Sequence, residues 1–232
     1  MGPLELLGLA WMFAGSGRSK TTTEKIRDLE SSFPVAPAAT KAGVRSVASL
    51  PVAVDDALVR RANQPRAKAW ANDFQNLGVP PSMAQAYARW AGIESSGNPL
   101  AVSPIGERGL FQVTKTTAKN TVTPAEWEAM TRPTTARAEH ARMALAQAAK
   151  YWARAKTKIK NAPNDPASIV WYSKAWHARP ADFKGGVMHG SASDMSRQLE
   201  RQWANDPRAM RRLHASNVIA FGVTRLGPNN AK

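Results

Sequence analysis

One long segment, from about Thr135 to Lys160, limits the possible folds more than any other part of the sequence. Its apolar residues recur at helical spacing, with Arg and Lys on the remaining faces. The apolar stripe consists of Ala141, Ala144, Leu145, Ala148, Trp152, Ala155 and Ile159. The sequence NAPNDP follows and marks the end of this helix. The segment therefore predicts a long amphipathic helix packed against a core.

Further helices are predicted on both sides of this segment. Asp55 opens one helix, Pro65 and Gly78 bracket a second, and Ser82 caps a third that ends near Glu94. Later helices are predicted near Thr116, from Asp165, from Ser193 to Asn205 and from Pro207 to Phe221. The sequence contains no internal repeat and no heptad series. No apolar run in it requires a central sheet. We therefore expect a mainly α single domain over residues 55–225, with a loop or small hairpin after Glu94 and a tail at 226–232.

Residues 1–54 have a different composition from the rest of the chain. The apolar run from Pro3 to Gly15 is too short for a spanning helix and contains Glu5. Arg18 and Lys20 follow the run, whereas a secretory signal carries its positive charges first, so a cleaved signal is not expected. We expect residues 3–15 either to contact a membrane or to form a short helix that docks on a protein surface. The Pro-rich and Ala-rich stretch that follows, up to residue 54, predicts a linker or extended arm.

Composition sets limits on partners and cofactors. The 232 residues are 43% hydrophobic, enough for one domain of ordinary size. The formal net charge of +15 favours polyanionic partners such as nucleic acid, anionic lipid or cell-wall polymer. The absence of Cys excludes disulfides, a Cys nucleophile and thiolate metal sites. The four His residues lack the spacing of metal ligands, so no metal or other cofactor is expected.

Glu94 is the candidate general acid. It lies in the last turn of a predicted helix that also carries Trp90 and Ile93, and a loop of small and polar residues follows it. An acid that protonates a leaving oxygen near neutral pH needs a raised pKa, which burial beside apolar groups supplies. The alternative is a solvated Glu at a helix end.

The segment from Glu94 to Val113, ESSGNPLAVSPIGERGLFQV, resembles the lytic transglycosylase domain of the soluble-lytic-transglycosylase type, within the lysozyme-like superfamily. The matching elements occur in register and without gaps. They are Glu94-Ser95, Asn98-Pro99, Ser103-Pro104 and Gly109-Leu110-Phe111-Gln112. The resemblance implies a lysozyme-like fold and cleavage of the β-1,4 bond between N-acetylmuramic acid and N-acetylglucosamine in peptidoglycan.

The resemblance also implies roles for individual residues. Glu94 acts first as acid and then as base, without a second catalytic carboxylate. The muramyl 6-hydroxyl attacks the anomeric carbon and leaves a 1,6-anhydro sugar, with assistance from the substrate's N-acetyl group as an option. Ser103 and Gln112 line the sugar-binding cleft, beside the backbone of Leu110 and Phe111.

The sequence departs from the family pattern at two places. Tyr172 takes the position of a tyrosine that hydrogen-bonds the acid, but Ser173 and Trp176 replace the family's Asn and Gly. A core aromatic is the alternative for Tyr172. Glu107 adds a carboxylate where the family carries a small residue. It is either an exposed residue paired with a neighbouring Arg or a base that activates water, which would make the protein a hydrolytic lysozyme.

Other features leave non-enzymatic alternatives open. Basic residues concentrate at 150–160 and 197–212, interleaved with Trp152 and Trp203. Three interpretations of these segments remain open. They bind nucleic acid, they attract anionic glycan strands, or they are solvated helix faces whose Trp residues lie in the core. The chain is then a wall-cleaving enzyme, a basic virion or nucleic-acid-binding protein, or a membrane-associated assembly component. We expect a phage virion enzyme delivered to the host cell wall, whose arm contacts virion or secretion-machine proteins; the bacterial cell envelope is the alternative location.

Overall fold

Helices form most of the chain that the structure, a computed structural model, describes. The described residues are 50–178 and 191–226, and the side chains of 50–55 and 176–178 lie outside the description. All of them belong to one compact unit, Arg45–Lys232. These residues contain no strand, which confirms the mainly α prediction. The apolar segment 3–15, nearly all of the arm, the side chain of Trp176 and the tail after residue 226 lie outside what is described.

The helices are numbered here in chain order. They are α1 Leu50–Ala62, α2 Pro65–Lys68, α3 Trp70–Asn76, α4 Pro81–Ser95, α5 Lys115–Ala118, α6 Pro124–Ala129, α7 Arg137–Lys156, α8 Pro166–Ala178, α9 Ala192–Gln202 and α10 Pro207–Phe221. Prolines at the first helical position mark the starts of α8 and α10 as the sequence predicts.

Several boundaries differ from the prediction. The first described helix begins at Leu50 rather than Asp55, and the helix predicted from Pro65 is divided at Ala69 into α2 and α3. Ser82 is not a cap, because α4 begins directly after Pro80 without a side-chain cap. Helix α6 was not predicted, although its capping box is present in the sequence. There the Thr123 hydroxyl accepts from the N–H of Glu126, and the Glu126 carboxylate accepts from the N–H of Thr123.

Helix α4 lies at the centre of the domain and packs against α1, α2, α3, α8 and α10. Small residues on several of its faces allow this close packing. A Cβ atom on Gly92 would lie 2.7 Å from the carbonyl oxygen of Arg61 and 2.9 Å from the Cα of Ala62. The backbones of α1 and α4 therefore touch at Gly92, and a larger residue there would force the helices apart.

An aromatic cluster fixes the end of α4 against the following loop. The ring of Phe111 stacks on Trp90 with centroids 4.6 Å apart and an interplanar angle of 13°. The same ring lies 6.3 Å from Phe74 and 6.1 Å from Tyr87. Since stacked aromatic pairs add to the free energy gained from burial, the loop is anchored in the core by Phe111.

Helix α7 uses a slightly different face from the predicted stripe. Tyr151 is buried in the core, whereas Trp152 is only partly buried. Ala141, Ala144, Ala148, Ala155 and Ile159 are buried as predicted. No described helix is both long enough and apolar enough to cross a bilayer.

Candidate active site

Glu94 lies in the last turn of α4, and its side chain is 15% exposed. The helix ends at Ser96, which adopts the left-handed conformation with φ 54°, followed by Gly97 with φ 71°. The N–H groups of Ser96 and Gly97 donate to the carbonyl oxygens of Gly92 and Ala91, each at 3.0 Å. Together with the left-handed backbone, these two hydrogen bonds cap the C-terminus of α4, so the chain leaves the helix just after Ser95, one residue beyond Glu94.

Contacts from distant residues hold this helix end. A Cβ on Gly97 would lie 2.8 Å from the backbone of Ala67, so only glycine fits there. The indole N–H of Trp70 donates to the carbonyl oxygen of Gly97 at 2.9 Å. Arg66 donates to the side-chain oxygen of Asn98 at 2.9 Å. The backbone beside Glu94 is thus fixed by α2 and α3.

The loop from Asn98 to Val113 runs beside the end of α4. Within it, Ser103 and Glu107 exchange backbone and side-chain bonds: the Ser103 N–H donates to the Glu107 carbonyl at 2.9 Å, and the Glu107 N–H donates to the Ser103 hydroxyl at 3.1 Å. Val102 and Ile105, on either side of Ser103, are 55% and 44% exposed. The turn therefore places an apolar rim, formed by the side chains of Val102 and Ile105, beside the Ser103 hydroxyl.

Gln112 stabilises the same loop from inside. Its backbone is left-handed with φ 47°, and its side-chain amide donates to the carbonyl oxygens of Ala101 at 3.1 Å and Gly109 at 2.9 Å. Arg108 and Val113 exchange backbone bonds at 3.0 and 3.1 Å. Isolated bridges join Arg108 to Val102 and to Val113, so the expected insertion is a loop closed by bridges, without paired strands.

Leu110 and Phe111 contribute to the loop mainly through burial. Their side chains are 3% and 5% exposed and belong to the first of two apolar core clusters, the one that contains Trp90 and Tyr151. The second core cluster contains Trp171 and Leu213. The carbonyl oxygen of Leu110 lies 3.0 Å from the Ser95 hydroxyl, which is also 3.0 Å from the carbonyl oxygen of Ala91. The Leu110 backbone is therefore attached to the residue that follows Glu94.

Lys174 is a site residue that the sequence analysis missed. It extends from α8, its ammonium donates to Oε1 of Glu94, and its side chain is 14% exposed. The Lys174 Nζ also lies 5.5 Å from the ring centroid of Trp90. The signal was present, because Lys174 is the only charged residue in the apolar stretch SIVWYSKAW.

The tyrosine that interacts with Glu94 is Tyr151. Its ring stacks on Trp90 with centroids 6.0 Å apart and an angle of 19°. Burial raises the pKa of Tyr151, and the negative charges of Glu94 and Glu107 raise it further. The charges of both carboxylates therefore act on the same phenol.

Tyr172 occupies a different environment from the one that the resemblance implies. It is fully buried in the second core cluster, edge-on to Trp171 at 5.0 Å and 89°. Burial raises the pKa of Tyr172 to about 12, with additional effects from Asp194 and Asp165. This is the position of a core aromatic, and it offers no exposed surface to a sugar.

Glu107 is partly buried, and the neighbouring Arg108 is paired elsewhere. Arg108 donates to Glu128 at 3.0 Å and lies 4.7 Å from the ring centroid of Trp127. Arg108, the arginine next to Glu107 in sequence, therefore has partners other than Glu107. The electrostatic effect of Glu107 reaches Tyr151, as that of Glu94 does.

A separate pocket lies between the loop and α7. Its lining includes Arg108, His140 and Gln147 but not Glu94. Burial lowers the pKa of His140, against a smaller opposing effect of Glu139. Residues 50–178 and 191–226 contain no group of three or more His, Asp or Glu residues able to hold a metal ion.

Comparison with known proteins identifies the domain. Residues 69–173 match the family model described as Transglycosylase SLT domain. No curated protein and no solved structure gave a significant match. The matched segment includes α4 with Glu94, the loop that follows it, and α7, while Lys174 lies just beyond its end. Residues 69–173 are therefore similar to the lysozyme-like Transglycosylase SLT domain, a family whose members are lytic transglycosylases that cleave the glycosidic bonds of peptidoglycan.

Proposed function

We propose that this domain cleaves the β-1,4 bond between N-acetylmuramic acid and N-acetylglucosamine, with Glu94 as the general acid and base. The observation that carries the proposal is the position of Glu94: a largely buried carboxylate at the end of the central helix, beside the loop with the family motif. Oε1 of this carboxylate accepts a hydrogen bond from the Lys174 ammonium, which fixes its orientation. A general acid needs this combination of burial and fixed orientation.

The proposed reaction proceeds in two proton transfers at Glu94. Protonated Glu94 gives its proton to the glycosidic oxygen, the bond to the anomeric carbon breaks, and the N-acetylglucosamine product leaves. The carboxylate then takes the proton of the muramyl 6-hydroxyl, whose oxygen bonds to the anomeric carbon and closes the 1,6-anhydro ring. Charge on the sugar between these steps is stabilised by the substrate's N-acetyl group. No water is consumed.

The loop is proposed to hold the sugar through its shape. The Ser103 hydroxyl and the Gln112 amide bond to backbone groups of the loop, so these side chains fix its conformation. Val102 and Ile105 are exposed beside Ser103 and offer apolar surface to the faces of sugar rings. Ser103 and Gln112 thus act in substrate binding by keeping this rim in place.

Hydrolysis is the second candidate reaction, because the charge of Glu107 reaches the same phenol as that of Glu94. A second carboxylate near the acid would serve as the base that activates water and would give a reducing-end product. We favour the anhydro product. Muropeptide mass distinguishes the two, since the anhydro product lacks the water that hydrolysis adds.

Exposed basic residues support an interaction between this domain and polyanions. Arg154, Lys156, Lys158 and Lys160 are exposed at the end of α7. Trp203 is buried, so it is not placed to stack on bases. We propose that this surface attracts the peptide carboxylates of glycan strands, with nucleic acid as the alternative partner.

We further propose that the enzyme acts from a phage particle and opens the host wall locally during genome entry. The support is the sequence of residues 1–54, where an apolar run with basic residues on its C-terminal side precedes an arm. The arm would then contact other virion proteins. The bacterial cell envelope, with contact to a secretion machine, is the competing location. Mass spectrometry of purified particles and of secreted protein separates the two.

The deciding experiment is digestion of purified peptidoglycan by the wild type, by Glu94→Gln and by the control Asp56→Asn. Asp56 is an exposed acidic residue, so its replacement removes the same charge away from the helix end. We expect anhydro-muropeptides from the wild type and the control, and a loss of about 10²–10⁴-fold in Glu94→Gln. Reducing-end products from the wild type would replace the transglycosylase reaction with hydrolysis. No products from a folded wild type would overturn the enzymatic function.

A further inference from the structure

The Lys174 ammonium contacts both the Glu94 carboxylate and the ring of Trp90. Its Nζ donates to Oε1 of Glu94 and lies 5.5 Å from the centroid of the Trp90 ring. Trp90 is one turn before Glu94 on α4, so a single ammonium contacts both residues from α8. The Lys174 and Glu94 side chains are 14% and 15% exposed, which protects their bond from water.

The Trp90 ring beside this ammonium is buried and packed against other aromatic rings. Trp90 is 1% exposed, and its ring stacks on Phe111 on one side and on Tyr151 on another. Helix α8 packs directly against α4 and α7, which carry Trp90 and Tyr151. Lys174 therefore approaches Glu94 from a fixed direction, which a long exposed lysine would not achieve.

We propose that Lys174 is the positioning residue of Glu94, an inference that rests on the proposed function. The ammonium engages Oε1 and leaves Oε2 as the oxygen that gives and takes the proton. It also stabilises the carboxylate that exists between the two proton transfers, because a positive charge at hydrogen-bond distance favours the ionised form. Lys174 does not touch the reacting atoms, so its effect passes through Glu94.

Other charged groups near Glu94 have different partners or the opposite effect. Tyr151 and Glu107 lie on the α7 and loop sides, and Glu107 adds negative charge. Arg66, on α2, donates to Asn98. Within residues 50–178 and 191–226, the hydrogen bond to the Glu94 side chain comes from Lys174. Removal of the ammonium therefore changes the charge balance at the acid directly.

The test compares Lys174→Met, Lys174→Arg and the control Lys119→Met with the wild type on soluble glycan strands, with kcat, KM and the pH profile measured for each. Lys119 is exposed, so its replacement removes one positive charge at the surface. We expect Lys174→Met to lower kcat by about tenfold or more, with KM within about twofold, because misplacement of a catalytic group acts on the chemical step. Lys174→Arg, which keeps the charge and a hydrogen-bond donor, is expected to restore kcat toward the wild-type value.

The outcomes separate this proposal from the function on which it rests. A Lys174→Met enzyme with wild-type kcat and pH profile, while Glu94→Gln is inactive, overturns the role of Lys174 alone. A lower kcat that Lys174→Arg does not restore indicates a structural bond only and also overturns it. If the Met variant does not fold, as judged by circular dichroism, Lys174→Gln gives the same test with a neutral donor. A folded wild type without products overturns both proposals.

Discussion

The Ser95 hydroxyl lies 3.0 Å from the carbonyl oxygen of Leu110, so the residue after the candidate acid is bonded to the loop that follows it in the motif. Ser95 is buried, and Leu110 is separated from it by the whole turn of Ser103 to Glu107. This contact gives a physical reason for the pairing of Glu-Ser with Gly-Leu in the sequence motif. A polar group on the helix end satisfies a buried carbonyl of the loop.

Replacement of Ser95 by Ala is expected to loosen the loop. The change leaves the Leu110 carbonyl without this donor, at a cost of about 1–3 kcal/mol in the free energy of unfolding. Activity is expected to fall as well, because the loop is no longer fixed to the helix end of Glu94. Thermal unfolding and peptidoglycan digestion measure the two effects. Ser82→Ala is the matched control, since Ser82 is exposed and forms no cap; an equal loss in that variant would contradict the role of the Ser95 bond.

Replacement of Glu107 by Gln is expected to preserve the anhydro product. Gln keeps the backbone bonds between Ser103 and Glu107, which do not involve the carboxylate. The change removes one negative charge near Tyr151, so the pKa of Tyr151 is expected to decrease. Muropeptide masses and a spectroscopic titration of tyrosine are the measurements. A switch from reducing-end to anhydro products in the variant would show instead that Glu107 activates water.

The exposed cations at the end of α7 predict a salt-dependent reaction. Replacement of Lys156, Lys158 and Lys160 by Gln is expected to slow digestion at low ionic strength and to have little effect near about 0.5 M salt, where the attraction is screened. Lys68 and Lys119, both exposed on other elements, provide a double-substitution control. Initial rates over a range of NaCl concentrations test the expectation. Equal losses at every salt concentration would assign these lysines a different role.

The stability of the domain is expected to decrease in mild acid because of His140. Burial lowers the pKa of His140 below the ordinary value of 6.5, so above that pH the residue is neutral in both states. As the pH falls below about 6.5, the unfolded chain binds a proton that the folded domain resists, and stability is lost until the folded pKa is passed. Thermal unfolding between about pH 5 and 7.5 should show this slope, and His140→Gln should reduce it. An unchanged slope in the variant would exclude His140 as its source.

Local patterns were sufficient to predict most helices, the position of Glu94 at a helix end and the irregular loop after it. Periodicity, prolines at helix starts and the Glu94 to Val113 motif act over a few turns of chain, so the sequence carries them directly. The α6 capping box was equally local and was overlooked. The second carboxylate, Glu107, could also be named from the motif, but its surroundings could not.

Tertiary packing alone decided which side chains meet at the acid. Lys174 is 80 residues from Glu94 in sequence, and its contact depends on how α8 crosses α4. Helix α7 buries Tyr151 rather than Trp152, so the charge of Glu94 acts on the phenol, while Tyr172 is buried in the second cluster. Sequence spacing sets which residues share a helix face, but the angle and register between helices depend on how side chains of distant segments interdigitate. Glu94 itself was therefore determined by the sequence, and its charged and aromatic neighbours only by the folded structure.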